Sequence, residues 1–293
     1  MQLGIESKQG SWMIGLKHFI VMIVLWIASF SCSQSMRKIY KREVKAGLSR
    51  TNLIKSQIIS ESDLQHLPPI VRKYLTYAGV IGKEKVVNVR IKFSGRIRFK
   101  PSNSWMTFTS EQYNFFDHPT RIFRIKSNKM GIPATGIHLY KNGIATMTIK
   151  IAGLFKVVDV KGPEMNQGET VTLFNDMCLM VPATLINKNI QWEPIDSLTV
   201  KAKYTNENIT INATLFFNEK GELINFISNN RFESQEGNTF KNYPWSTPVK
   251  EYTYYLGRRI VSSASTIFHR PEIDFTYGEF VLKEIEYNCK TLR

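Results

Sequence analysis

Hydrophobic residues follow three successive rhythms along this chain. From Phe19 to Phe30 they run on without a charge, as Phe-Ile-Val-Met-Ile-Val-Leu-Trp-Ile-Ala-Ser-Phe. From Leu64 they recur at spacings of three and four, through Leu67, Val71, Tyr74, Leu75 and Ala78, which places them on one stripe of a helix. Beyond Lys85 they alternate. Val87, Val89, Ile91, Phe93, Ile97 and Phe99 take odd positions, and Arg90, Lys92, Arg96, Arg98 and Lys100 take even ones. A period of two is that of a strand with one apolar and one cationic face.

The helical stretch predicts a leading helix over 63–78. Ser60-Glu61-Ser62-Asp63 reads as a capping box before it, and Gly79 ends it. Pro68 and Pro69 divide it into a short turn and a helix from Pro69 to Tyr77, because proline fits a first helical turn but not a helix interior. In the alternating region, Asn142-Gly143 between His138-Leu139-Tyr140 and Ile144 to Ile151 is a hairpin signal, since both residues tolerate the positive φ of a tight turn. A second hairpin joins Leu198–Tyr204 to Ile209–Phe217, and Asn218 to Gly221 turns the chain into Leu223–Phe232. Further strands are expected at 250–256, 259–268 and 277–287. One more helical stripe holds Val171, Phe174, Met177, Cys178 and Val181.

Many strands with short turns predict a mainly β fold with a minor α+β character. The expected architecture is a curved antiparallel meander, curling into a half-barrel or open barrel because long sheets twist. One or two short helices and an N-terminal membrane helix complete it. No Pro/Gly/Ser-rich linker divides the chain, so residues 61–293 are expected to form a single β-rich domain behind a segment at 1–32 and a basic juxtamembrane stretch at 33–60.

The apolar run admits two readings. A spanning helix needs about 20 apolar residues, and a signal-peptide core about 7 to 15. The run reaches spanning length only by extending back to Met13, with Lys17 and His18 snorkelling to the headgroups. In the other reading it is a lipoprotein signal with Cys32 as the lipidated residue, although Ser29 and Phe30 depart from the usual lipobox. Both readings make the protein membrane-associated, single-pass or lipid-anchored, with the side of the membrane open. Membrane lipids are the expected partners of residues 13–45, since Arg37, Lys38, Lys41, Arg42 and Lys45 each gain about 1 kcal/mol near an anionic leaflet.

The formal charge of +15 leaves +9 on residues 51–293 once the N-terminal segment and the basic stretch are set aside. No recognition helix, zinc finger or RNA motif accompanies this charge, so no nucleic-acid partner is expected. Cys32, Cys178 and Cys289 are too far apart in sequence for a zinc motif, and no metal or other cofactor is expected. Cys178 and Cys289 are read either as two separate buried thiols or as an exported disulfide.

Leu67-Pro68-x-x-Val71-x-x-Tyr74-Leu75 with Gly79 and Gly82 resembles an uncharacterised bacterial family, DUF6544, whose members often begin with a hydrophobic segment. The resemblance continues through Gly95, Trp105-Met106-x-Phe108, Gln112-Tyr113, Tyr140, Gly143, Met147, Pro182-x-x-Leu185, Trp192-Glu193-x-Ile195-Asp196, Arg231-Phe232, Pro244-Trp245 and Tyr287-Asn288. It implies no activity and assigns no site residue. His138 stands where the family tends to have Asp, and Asp176 where Glu is usual, so a mechanism requiring a carboxylate at 138 fails here. At the level of shape the pattern is also similar to the half-barrels of lipoprotein carriers, an analogy that does not reach function.

Gly-x-Ser-x-Gly, His-Glu-x-x-His, Gly-x-x-x-x-Gly-Lys and Gly-x-Gly-x-x-Gly are all absent from the sequence. The remaining catalytic candidates are Asp176, Asp196 and Glu193, with His138, since two carboxylates in unlike environments can divide acid and base roles. Candidate ligand-binding residues are Arg90, Lys92, Arg96 and Arg98, if that row faces a cavity, together with Trp105, Trp192 and Trp245 as pocket walls. The bland readings are a solvated strand face for the cations and core packing for the tryptophans. Taken together, the sequence predicts a membrane-tethered envelope protein whose curved sheet binds an apolar or amphiphilic ligand. The alternatives are an enzyme using Asp176 and Asp196, or a structural, partner-binding envelope protein.

Overall fold

The structure is a computed structural model and describes residues 36–129, 131–234 and 239–293. The apolar run from Phe19 to Phe30, Cys32 and the tether assigned to them lie outside the described residues. Among the described residues, no helix is long and apolar enough to cross a membrane.

Sixteen strands are described: β1 (Asn88–Ile97), β2 (Met106–Phe115), β3 (Thr120–Lys129), β4 (Ile132–Lys141), β5 (Ile144–Ile151), β6 (Phe155–Lys161), β7 (Ile190–Pro194), β8 (Thr199–Asn206), β9 (Ile209–Phe217), β10 (Leu223–Ser228), β11 (Phe232–Glu233), β12 (Lys241–Asn242), β13 (Trp245–Ser246), β14 (Val249–Tyr255), β15 (Arg258–His269) and β16 (Asp274–Tyr287). All but β11 and β12 belong to one antiparallel sheet, ordered β6-β5-β4-β3-β2-β1-β16-β15-β13-β10-β9-β8-β7, with β14 also paired to β15. The C-terminal strand therefore closes onto β1 and joins two meanders, pairing Val89 with Tyr287 and Ile97 with Gly278.

The sheet is curled around a helix. Helix α3 (Pro163–Met180) packs against β5 and β6 from one half and against β9, β10 and β15 from the other. Strands far apart in the sheet order can share one helix only if the sheet wraps it. Every residue from Thr170 to Met180 except Thr172 is buried. A helix enclosed on all sides needs no single apolar stripe, so the stripe beginning at Val171 marked only its C-terminal half. The start is set by Gly162 (φ 126°) and by Pro163 in the first turn, where the missing N–H costs nothing.

The leading segment folds as expected, into a 3₁₀ turn at Glu61–Leu64 and α2 at Pro69–Tyr77. The Ser60 N–H donates to Asp63 Oδ2 at 2.9 Å, which completes the capping box. Helix α2 packs beside the β14–β15 turn, where the Arg259 N–H donates to the Ala78 carbonyl, and beside the β9–β10 turn, where Lys73 donates to the Glu219 carbonyl. It thus closes one end of the curl.

The basic stretch holds a helix that its charges conceal. Residues 36–51 form α1, whose Met36, Tyr40, Val44 and Leu48 are buried four residues apart against Tyr113, Phe115, Ile122 and Ile137 on the outer face of β2–β4. Gly47 permits the contact, because a Cβ there would lie 2.3 Å from the Phe115 ring. Arg37, Lys38, Lys41, Arg42 and Lys45 occupy the exposed face.

Candidate functional site

Alternation in β1–β4 decides which side chains look inward. The odd row Val89, Ile91 and Phe93 of β1 pairs with Asn114, Gln112 and Ser110 of β2, and these pair in turn with Arg121, Phe123 and Ile125 of β3. Tyr140, His138 and Gly136 of β4 continue the inner row. Between this face and α3 lies a cavity of about 250 Å³, walled by Phe93, Ile97, Phe123, Ile125, Met147 and Phe280 among others. A neighbouring chamber of about 200 Å³ shares Arg98, Phe99, His138, Met147, Glu169 and Arg231 with it.

The inner end of the cavity is polar. Glu169, Thr172 and Asp176 lie three and seven residues apart and so share one face of α3. Arg121 stands opposite, with Nε donating to Asp176 Oδ2 at 2.8 Å, Nη1 to Glu169 Oε2 at 3.1 Å and Nη2 to Gln112 Oε1 at 3.1 Å. Asp176 Oδ2 also accepts from Gln112 Nε2 at 2.9 Å and Asn114 Nδ2 at 3.0 Å. Arg231 donates through Nη1 to the Gly168 carbonyl at 2.9 Å and to the Thr172 hydroxyl, and it stacks over Trp245 at 4.7 Å. Arg121 and Arg231 both approach Glu169, which is only 2% exposed.

His138 sits beside this network with Nδ1 facing Glu169 Oε1 at 3.5 Å. Burial pushes its imidazole down to about 4, so it is neutral at pH 7. Because a carboxylate only accepts, we assign the proton of the neutral ring to the Nδ1 that faces it, which makes Nε2 the acceptor. That buried Nε2, and the Nε–H of Arg231, have no partner among the described residues. For Glu169, burial alone raises the carboxyl, but His138, Arg121 and Arg231 outweigh it and hold the group below the usual range.

The structure separates the candidates read from the sequence. Asp176 and His138 line the cavity. Glu193 and Asp196 do not join them. Both are exposed on or beside edge strand β7, where Glu193 lies 3.8 Å from Lys201 and Asp196 accepts from the Leu198 N–H at 2.8 Å within its own turn. The Asp176/Asp196 pairing is therefore corrected: one carboxylate projects from α3 onto the inner face of the sheet and the other caps a surface turn.

The cationic row is corrected likewise. Arg90, Lys92 and Arg96 fall on the outer face, where Arg90 bonds Glu111 at 2.7 Å and Glu284 at 3.0 Å, Lys92 bonds Glu284 at 3.0 Å and Arg96 bonds Glu279 at 2.6 Å. Arg98, just past the end of β1, does reach the cavity. It donates to the Thr276 carbonyl at 2.9 Å and the Pro101 carbonyl at 3.1 Å, and lies over Trp105 at 4.6 Å.

Of the tryptophans, Trp245 lines the cavity, with Nε1 donating to Tyr277 Oη at 3.0 Å. Trp105 is stacked under Arg96 and Arg98, and Trp192 packs on β7 away from the cavity. Cys178 and Cys289 are free thiols buried in different clusters. Among the described residues no cluster of His, Cys, Asp or Glu is arranged to hold a metal. Sequence reasoning missed Arg121, Glu169 and Arg231 as site residues. The available signal was the polar i, i+3, i+7 stripe at Glu169, Thr172 and Asp176, which faces away from the apolar Val171, Phe174 and Cys178.

Three solved structures are similar in outline. They are a LolA superfamily protein from Nitrosomonas europaea (TM-score 0.43, 8% identity, covering 74% of this chain and 92% of that one), a putative outer membrane lipoprotein-sorting protein domain from Vibrio parahaemolyticus (0.38, 7%, 68% and 85%) and a DUF1329 family protein from Desulfovibrio piger (0.39, 8%, 74% and 90%). Scores this low carry no argument about function. No curated protein matches the sequence. The family model of DUF6544, a family of unknown function, matches residues 57–280, and the chain belongs to that family.

Proposed function

We propose that this protein binds an amphiphilic molecule in the cavity between its curled sheet and α3, at the surface of a membrane to which the apolar run of residues 19–30 tethers it. The observation that carries the reading is the polarity gradient of the cavity: aromatic and aliphatic walls lead to an inner end holding Arg121, Glu169, Asp176, His138 and Arg231. An alkyl chain gains about 0.8 kcal/mol for each CH₂ it buries against such walls. At the inner end, the bare Nε2 of His138 accepts a hydrogen bond and the Nε–H of Arg231 donates one. A hydroxyl group, or a carboxyl group held in its protonated form, supplies both partners, which relieves two buried polar atoms that are costly to leave unmet.

Displacement of a fluorescent long-chain fatty acid from the full-length chain tests this. Saturable binding to the native chain, lost in Val261→Trp, which fills the cavity wall, supports the proposal. Binding that survives Val261→Trp unchanged, or no binding to either protein, rejects it.

A further inference from the structure

Antiparallel pairing puts four hairpin tips along one edge of the sheet. The tips joining β15 to β16, β1 to β2, β3 to β4 and β5 to β6 are consecutive along that edge, as the pairs His269–Asp274, Ile97–Met106, Lys129–Ile132 and Ile151–Phe155 show. Neighbouring tips are two strands apart, or about 10 Å at the usual spacing. Each presents one large exposed apolar residue: Ile273, Phe99, Ile132 and Phe155. Phe99 is exposed and also lines both chambers, so the row meets the cavity at that residue.

The opposite edge carries exposed apolar residues too, including Tyr254 near the end of β14, Leu256 in the β14–β15 turn and Ile144 at the start of β5. Two features tell the edges apart. Helix α2 packs beside the β14–β15 turn, and neither Tyr254, Leu256 nor Ile144 lines the cavity or its neighbouring chamber. The second feature is the direction of α1. Its C-terminal end meets the opposite edge, where Arg50 pairs with Asp117 of the β2–β3 turn and Asn52 donates to the Lys290 carbonyl. Its N-terminal half lies further along β3 toward the edge of the four tips, where the Arg124 guanidinium sits over the Tyr40 ring at 5.6 Å. The apolar run ends at Phe30, six residues before Met36, a reach of at most about 20 Å for an extended chain. Exposed Arg37, Lys38 and Lys41 lie on that same end of α1.

We infer that the row Phe99, Ile132, Phe155 and Ile273 is a lipid-contact rim, which rests on the bilayer that holds the N-terminal segment and turns the Phe99 side of the cavity toward it. An apolar row of four side chains exposed to water is stabilised by partial insertion at the headgroup level, and basic residues beside it add attraction to an anionic leaflet. The orientation rests on the tether of the proposed function, whereas the contact itself does not require the cavity to hold a ligand.

The test uses the full-length chain with Cys32→Ala, in which Cys178 and Cys289 are buried, carrying an environment-sensitive fluorophore on one new thiol. Probe sites are Phe155→Cys and Ile273→Cys on the rim, with Leu256→Cys and His118→Cys at the opposite edge. The protein is reconstituted into vesicles of phosphatidylcholine and phosphatidylglycerol in equal parts, with or without brominated lipid. The inference predicts blue-shifted emission and bromine quenching at 155 and 273, with neither at 256 or 118. Quenching at 256 or 118 in place of the rim, at all four sites alike, or at none overturns it. Fatty-acid displacement on the same preparations keeps the two proposals distinguishable: a rim without quenching leaves displacement intact, and a cavity without ligand leaves the quenching pattern intact.

Discussion

Replacing Arg121 with Met should be among the most damaging single changes in the domain. The guanidinium is 7% exposed and carries three charge-assisted or polar bonds, to Asp176, Glu169 and Gln112. Methionine fills similar volume but leaves two carboxylates, 9% and 2% exposed, without their main counter-charge. Removing one partner of a buried ion pair costs about 3–5 kcal/mol. Arg231 still approaches Glu169 at 3.7 Å, and Gln112 and Asn114 still bond Asp176, so the cost should stay within that range. At about 2–4 °C per kcal/mol for a domain of this size, the melting temperature should fall by on the order of 10 °C. Asp176→Asn keeps the shape and an acceptor oxygen, and should cost about 1–3 kcal/mol. Thermal melts followed by near-ultraviolet circular dichroism measure both. A loss below about 1 kcal/mol for Arg121→Met, or an equal loss for the two variants, would refute the claim that Arg121 neutralises a buried acidic pair.

His138 gives a pH signature. Its folded value of about 4 lies below the ordinary 6.5, so the unfolded chain binds the extra proton first; stability is full above about pH 6.5 and is lost as pH falls toward 4. Melts of His138→Gln against the native chain should show a shallower loss in that window, by up to about 1.4 kcal/mol per pH unit; parallel curves would contradict burial as a neutral imidazole. Gly95→Ala should destabilise the β1–β16 seam by about 1–3 kcal/mol, since its Cβ would sit 2.0 Å from the Glu279 carbonyl oxygen; urea unfolding at an unchanged midpoint would oppose this. Gly47→Leu should lift α1 from Phe115, and hydrogen exchange should then quicken in residues 36–51 while β9 and β16 stay protected.

Sequence periodicity located the elements that face one environment on each side. The alternation in β1, the Asn142-Gly143 turn with φ of 52° and 71°, and the proline-started α2 all follow from local rules. It failed where an element is polar on the side that is buried. In β2 and β3 the inner positions Gln112, Asn114 and Arg121 are polar, so no apolar alternation survives there. In α1 the dense charge drew attention from Met36, Tyr40, Val44 and Leu48 beneath it. The candidate site was half legible for the same reason. Asp176, His138, Arg98 and Trp245 are found at the cavity, but Glu169 and Arg121 become visible only when the curl brings α3 over β2 and β3. Glu193 and Asp196 were drawn in by composition, which carries no information about the sheet edge they occupy.

The central claim is that the cavity receives an amphiphile with its polar group inward. A crystal structure of the full-length chain with a long-chain fatty acid brominated at its tail end would test it most directly. The account predicts an anomalous bromine peak on the Phe99 side of the cavity, with the carboxyl group within hydrogen-bonding distance of His138 Nε2 and Arg231 Nε. An empty cavity at saturating ligand, or bromine placed against Arg121 and Asp176 with the carboxyl outward, would contradict it.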